Sequence, residues 1–99
     1  MTLDPIRHAT HVPPETREAV AKRLKRIEGQ VRGLQRMVDE ERYCADVLVQ
    51  IASVQEALRG VGRLLLQNHL EHCTTDAIRS GDPAEAERVV RELVELWGK

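Results

Sequence analysis

Two runs of apolar residues, each spaced by alternating steps of four and three, restrict the fold of this 99-residue chain more than any other feature. Such spacing is typical of amphipathic helices, because it places every apolar residue on one face. The pattern predicts a first helix over about residues 14–40 and a second over about 43–79. A short connection would make them an antiparallel hairpin. The runs are Val20, Leu24, Ile27, Val31, Leu34 and Val38, then Val47, Ile51, Val54, Leu58, Val61 and Leu65.

Proline and glycine mark most of the predicted helix boundaries. Pro13-Pro14 suits the start of the first helix, since the missing N–H of proline would have no helical partner there. The segment 39–42 holds neither Gly nor Pro, so the break between the first two helices is poorly marked.

A third, short helix is predicted after residue 80. Gly81 can terminate the second helix, Asp82 can cap the third, Pro83 suits its first position, and Glu85 completes a capping-box pattern. Its apolar face would comprise Ala86, Val89, Val90, Leu93, Val94 and Trp97.

Composition favours one small helical domain. Only Tyr43 and Trp97 are aromatic, so the core must be aliphatic. We expect a flexible tail over residues 1–12 and a single all-α domain over 13–99. The chain has no run of 18 apolar residues and no signal-peptide pattern, so we expect a soluble, cytoplasmic protein without a membrane partner.

Charge is distributed unevenly although the net charge is only −1. Residues 15–36 carry seven basic and three acidic side chains, whereas residues 71–99 carry four basic and seven acidic ones. Five basic residues of the first helix gather opposite its apolar stripe, together with Gly29 and Gly33. They form either a solvated face or a phosphate-binding surface. These residues are Lys22, Lys25, Arg26, Arg32 and Arg36.

The two cysteines and one histidine have the spacing of metal ligands. His69 and Cys73 lie four residues apart, one α-helical turn, while Cys44 precedes His69 by 25 residues, or roughly 37 Å along a helix. One chain could not then close the site alone. All three border the apolar stripe of the second helix, so antiparallel packing of two copies would bring Cys44 of one chain to His69 and Cys73 of the other. The two-fold axis would pass near Ala57 and Leu58.

Two thiolates and one imidazole favour soft ions. A three-ligand pocket suits Cu(I), whereas Zn(II) usually requires a fourth ligand, for which His72 is a candidate. The sequence offers no base adjacent to a nucleophile within one chain, and we expect no enzymatic activity. A copper buffer without DNA binding would also explain the ligands.

Several motifs carry a family resemblance over about residues 15–95. They are the string from Arg23 to Met37, the pair Tyr43-Cys44, Gln50-Ile51 with Val54-Gln55, and Asn68-His69-Leu70 with Cys73. Together they resemble the copper-sensing operon repressor (CsoR) family, relatives of the nickel-cobalt and formaldehyde repressors. The resemblance implies an all-α dimer, a four-helix bundle made of two hairpins, that pairs into a homotetramer and binds operator DNA through basic helix faces until an inducer binds.

The resemblance also implies roles for single residues. Cys44, His69 and Cys73 match the metal ligands of the Cu(I) branch, and Tyr43 matches an outer-shell tyrosine. A glutamate partner on the last helix is assigned to Glu87, with Glu85 competing. Arg23 matches a DNA-contacting position, and Arg59 or Arg63 would supply the contact that some members make from the position of Gly60.

Within the family the inducer follows the ligand set. The nickel-cobalt branch has His at the position of Cys73 and recruits an N-terminal imidazole, for which His11 is a candidate; the persulfide branch lacks the histidine. We therefore expect a Cu(I)-responsive transcriptional repressor that releases DNA when metal binds. Nickel, cobalt, zinc, persulfide or formaldehyde sensing is the alternative, so Zn(II) or Ni(II) remain possible ligands.

Overall fold

The computed structural model describes residues 12–97, apart from the side chains of Cys73 and Trp97. The expected tail and its histidines lie almost wholly outside the described residues. All regular secondary structure within residues 12–97 is helical, which confirms the predicted all-α fold. The helices are α1 (Pro14–Asp39), α2 (Cys44–Asn68), a π-helical segment (His69–Thr74), α3 (Thr75–Arg79) and α4 (Pro83–Trp97).

The chain divides into two compact units. Residues 13–66 form the first, here called the hairpin unit. Val12 and residues 67–97 are the described part of the second, called the C-terminal unit. The single domain expected over 13–99 stays a prediction. No helix within residues 12–97 has the length and hydrophobicity that a membrane span requires.

The hairpin unit is held together by a small aliphatic core between α1 and α2. Ile27, Val54 and Val61 are buried, with Val20 and Leu34 packed against them. Burial of each such side chain contributes about 1.5–3 kcal/mol to folding. The core therefore holds the two helices side by side between Val20 and Leu34 of α1 and between Val54 and Val61 of α2.

Each predicted apolar stripe separates into an inner and an outer row. On α1, the residues that face α2 are spaced by seven: Val20, Ile27 and Leu34. The other members of the stripe, Leu24, Val31 and Val38, are 41–63% exposed. On α2, Val54 and Val61 are buried while Leu58 and Leu65 stay exposed. One packed hairpin can cover only one row of each stripe. The outer rows are left as an apolar surface that a second copy of the chain could cover.

The connection between α1 and α2 is a Schellman turn built without glycine. The N–H of Arg42 donates to the carbonyl of Met37 at 2.9 Å, and the N–H of Glu41 donates to that of Val38 at 3.0 Å. Glu41 has φ 54°, the left-handed conformation that glycine usually supplies. The sequence marked this break poorly because Glu41 occupies a position where its side chain is a disadvantage.

The predicted boundaries of the last helix are largely confirmed. Gly81 has φ 78°, and Asp82 Oδ1 accepts a hydrogen bond of 3.0 Å from the N–H of Ala84. The predicted capping box is wrong in its second half. Glu85 binds Arg88 one turn along, and the N–H of Asp82 donates to Ser80 instead. A guanidinium is a stronger partner for a carboxylate than a backbone amide.

The second helix differs from its prediction after residue 68. The helical backbone continues to Arg79 as expected, but the α-helical pattern ends at Asn68 and six residues of π-helix follow. Buried polar residues lie at both ends of this segment: Asn68 precedes it, Thr74 is its last residue, and each is 6% exposed. The Thr75 hydroxyl donates to the carbonyl of Leu70, five residues earlier, at 2.8 Å. These buried polar groups and the Thr75 hydrogen bond accompany a widened turn that apolar periodicity does not indicate.

Replacing Glu41 by Gly should stabilise the protein. Glycine adopts a positive φ without the steric penalty of a Cβ, so the free energy of unfolding should rise by roughly 0.5–1 kcal/mol after the greater flexibility of glycine in the unfolded chain is subtracted. Urea denaturation at fixed protein concentration measures the change. Glu40, with φ −85°, is the matched control, and Glu40→Gly should lower stability. A lower stability for Glu41→Gly would contradict the Schellman turn.

Candidate metal site and basic surface

Cys44 is the first residue of α2 and presents a free, exposed thiol. Tyr43 precedes it with a 72% exposed side chain, and its carbonyl accepts hydrogen bonds from the N–H groups of Asp46 and Val47. The backbone of Tyr43 thus starts the helix while its ring stays in solvent. Both side chains predicted for the metal site at this end are open to another molecule.

His69 and Cys73 lie in the π-helical segment. The predicted alignment of the two residues used the α-helical angle of about 100° per residue, whereas hydrogen bonds in a π-helix span five residues instead of four. The angular position of Cys73 around the helix axis therefore does not follow from α-helical spacing. Its role as a ligand stays a prediction.

The imidazole of His69 faces a carboxylate of α4. Its Nε2 lies 3.9 Å from Glu92 Oε1, which is too long for a hydrogen bond but within reach of a charge interaction. Glu92 Oε2 lies 3.4 Å from Arg88 Nη1, and Arg88 also binds Glu85 through Nε and Nη2. The hydrogen bond from Arg88 lowers the pKa of Glu85, and that same bond with Glu85 raises the pKa of Arg88. This charged network holds Glu92 beside His69.

Glu92 was not among the residues that the sequence singled out. Glu87, which was, accepts a hydrogen bond of 2.9 Å from Arg91 on an exposed surface. The face of α4 could have indicated Glu92, because Val89 is buried and position 92 lies one turn along the same face. To use this spacing, however, one must know which of several apolar residues of α4 is buried.

The donor types fit a soft metal ion. Nε2 of His69 faces the carboxylate of Glu92, which leaves Nδ1 as the nitrogen that could bind a metal ion. Metal-binding histidines commonly direct their other ring nitrogen at a carboxylate, although here the distance exceeds that of a hydrogen bond. Among the side chains that the structure describes, which exclude Cys73, no three His, Cys, Asp or Glu residues form a group that could hold a metal ion. Cys44 belongs to the hairpin unit, and His69 and Cys73 belong to the C-terminal unit.

All eight residues predicted to contact DNA are exposed and lie on the hairpin unit. We call them the basic surface: Lys22, Arg23, Lys25, Arg26, Arg32, Arg36, Arg59 and Arg63. Arg32 pairs with Glu28 at 3.3 Å. A Cβ added at Gly60 would lie 3.4 Å from Arg23 Nη1, so the absence of a side chain there leaves room for the guanidinium beside α2. The basic surface thereby spans both helices.

Two acidic residues pair with members of the basic surface: Glu28 with Arg32, and Glu56 with two arginines of α2. Glu56 accepts hydrogen bonds from Arg59 Nη1 at 3.2 Å and from Arg63 Nη2 at 3.0 Å. These bonds, first from Arg63 and then from Arg59, lower the pKa of Glu56. Sequence reasoning did not single out Glu56, although its spacing of three and seven residues from the arginines places all three on one side of α2.

Comparison with known proteins identifies a consistent group of relatives. A family model described as metal-sensitive transcriptional repressor matches residues 16–99. The copper-sensing transcriptional repressor CsoR of Bacillus subtilis (strain 168) is 47% identical over 89 residues, which cover 90% of this chain and 85% of that protein.

Solved structures agree with the sequence comparison. The Cu(I)-containing copper-sensing repressor CsoR from Geobacillus thermodenitrificans NG80-2 superposes with a TM-score of 0.80 at 47% identity, covering 95% of this chain and 100% of that one. The nickel-responsive transcriptional regulator InrS gives a TM-score of 0.66 at 39% identity, with coverage of 89% and 91%.

Proposed function

Because the chain belongs to the metal-sensitive transcriptional repressor family, we propose that it is a Cu(I)-responsive repressor. It binds operator DNA in the metal-free form and releases the DNA when metal binds. The observation that carries this proposal is its 47% identity to a CsoR whose structure contains Cu(I), joined to the soft donors Cys44 and His69. We propose that it works in the cytoplasm, where the DNA of a bacterium such as that of the relative from Bacillus subtilis lies.

Two copies of the chain share each metal site in the proposed assembly. The exposed outer rows of α1 and α2 supply the apolar surface for a dimeric four-helix bundle, and two dimers pair into a tetramer. Leu58, beside the proposed two-fold axis, is 47% exposed, while Ala57 packs against the core. Leu58 is therefore available to a partner at the position that the symmetry argument requires.

The proposed ligands are the thiolates of Cys44 and Cys73 and Nδ1 of His69. Cu(I) would be held there by two soft sulfur donors and one nitrogen donor. Glu92 is better placed than Glu87 to orient His69, because it lies 3.9 Å from the ring whereas Glu87 is engaged by Arg91. Tyr43 remains the proposed aromatic residue of the outer shell.

Metal and DNA act on each other through the assembly. If metal favours an arrangement of the two hairpins with lower DNA affinity, DNA must lower metal affinity by the same factor. We propose that a ligand set contributed by two chains changes the relative orientation of their basic surfaces. Loading the site therefore alters how those surfaces meet the DNA.

Nickel is a second candidate inducer, since the chain is 39% identical to the nickel-responsive InrS. His11, outside the described residues, is the imidazole that an alternative coordination set would recruit. Zn(II) remains possible only with a fourth ligand such as His72. Parallel titration of Cu(I), Ni(II) and Zn(II) under anaerobic conditions ranks the three ions.

Adding Cu(I) to the complex of protein and its own promoter DNA should weaken DNA binding by about 5–150-fold. Fluorescence anisotropy measures the affinity. Cys44→Ala should bind DNA as the parent chain does but lose the response to Cu(I). Ser53→Ala, an exposed change on the same helix, should keep it. An unaltered response in Cys44→Ala would exclude this site.

Mixed dimers test whether two chains share the site. When Cys44→Ala and Cys73→Ala chains are combined, one site of each mixed dimer regains all three ligands and the other loses both thiols. A mixed dimer should thus bind about half the Cu(I) of the parent dimer, as follows from the symmetry of the assembly. Differently tagged chains allow its isolation, and a Cu(I) titration counts the sites. A mixed dimer with no Cu(I) site would support ligation within one chain.

Removing two charges from the basic surface should reduce the salt dependence of DNA binding. In Lys25→Gln with Arg26→Gln, the magnitude of the slope of log K against log salt should decrease by about 0.9 for every phosphate that the variant no longer neutralises. The matched control, Arg79→Gln with Arg91→Gln, removes the same charge from the C-terminal unit and should leave the slope nearly unchanged. Equal slopes for both variants would place the DNA-binding surface elsewhere.

A further inference from the structure

Glu56 is the only acidic side chain among the residues that line a cavity between α1 and α2 in the hairpin unit. The cavity has a volume of about 360 Å³. Its lining includes Arg23 and Arg26 from α1, and Gly60 from α2. Arg59 and Arg63 bind Glu56 directly at 3.2 and 3.0 Å. Two helices thus bring four arginines to the surroundings of one carboxylate.

An arrangement of guanidinium groups around an anion is also how proteins bind phosphate. Arginine binds carboxylate and phosphate with the same pair of N–H donors, because each anion presents two charged oxygens that match the guanidinium fork. Gly60 contributes by leaving the space in which the guanidinium of Arg23 lies. The site therefore has the chemistry to bind a phosphodiester group of DNA in place of the glutamate.

We propose that these four arginines form a subsite for one DNA phosphate, and that Glu56 occupies it in the DNA-free protein as an internal competitor. This inference rests on the proposed DNA-binding function. When DNA binds, the phosphate takes the hydrogen bonds of Arg59 and Arg63, and the side chain of Glu56 moves aside into solvent.

The exposure of these groups makes the exchange feasible. The side chains of Glu56, Arg59 and Arg63 are 60–69% exposed. Exchanging the carboxylate for a phosphate therefore breaks few other contacts with the protein. Exposed pairs of this kind are individually weak. A phosphate that also meets Arg23 and Arg26 can therefore displace the carboxylate.

Glu56 nevertheless lowers DNA affinity, since its backbone is fixed in α2. Hydrogen bonds from the two arginines depress its pKa, so the carboxylate is charged at neutral pH. After exchange it remains near the incoming phosphate, and like charges at short range repel. Glu56 thus reduces the positive charge of this part of the basic surface. Binding then favours DNA that places a phosphate at this position.

Glu56→Gln tests the subsite because it keeps the shape of the side chain and removes its charge. The variant should bind promoter DNA about two- to fivefold more tightly per protomer, the range expected of one exposed ion pair. The magnitude of its salt slope should increase by about 0.9 for each additional phosphate that the arginines neutralise. Fluorescence anisotropy over a range of salt concentrations measures both.

Glu87→Gln is the matched control. It makes the same change in net charge and breaks a comparable exposed pair, that with Arg91, in the C-terminal unit. The increase in affinity from Glu56→Gln should exceed that of the control, and it should disappear when Arg59 and Arg63 are also changed to Gln. Circular dichroism verifies that each variant retains its helix content.

The outcomes separate this inference from the proposed function. If the unaltered chain binds DNA and Glu56→Gln binds no more tightly than Glu87→Gln, the phosphate subsite is wrong and the repressor function stands. Weaker binding by Glu56→Gln would show that Glu56 positions the arginines for DNA rather than competing with it. If the unaltered chain fails to bind DNA, both proposals are wrong.

Discussion

The packing of α1 against α2 through their inner apolar rows is the interaction on which the rest of the hairpin unit depends. Ile27, Val54 and Val61 are the buried centre of that interface. Because the inner row of each helix recurs every seven positions, the helices pack together along this stretch, and basic residues of both helices form one surface. The same packing leaves the outer rows uncovered, which is the physical basis for expecting a second chain.

Much of this architecture could be predicted from the sequence. The helices could be predicted from the periodicity of the apolar residues, and the starts of α1 and α4 from Pro14 and Gly81. Each of these is a local signal with a local cause. The stripe alone could not show which row would be buried. That choice depends on how the two helices pack, and an α-helical stripe is compatible with either row facing inward.

The candidate site was less predictable because its details depend on tertiary packing. The π-helical segment carries His69 and Cys73, and the burial of Asn68 and Thr74 at its two ends is not revealed by apolar spacing. Glu92 lies beside His69 on the same face of α4 as the buried Val89, and the sequence does not show that this face packs inward. The ligand types were readable from the sequence, whereas the outer shell required the fold.

The separation of the apolar stripes into two rows gives them different thermodynamic character in the proposed assembly. Inner-row residues such as Ile27 stabilise a single hairpin, so their contribution is the same at every protein concentration. Outer-row residues such as Leu58 stabilise the folded state through mass action, and their contribution grows with the concentration of the partner chain. In a cell, the abundance of the protein would then determine what fraction of its chains is assembled, and dilution would act on the outer rows alone.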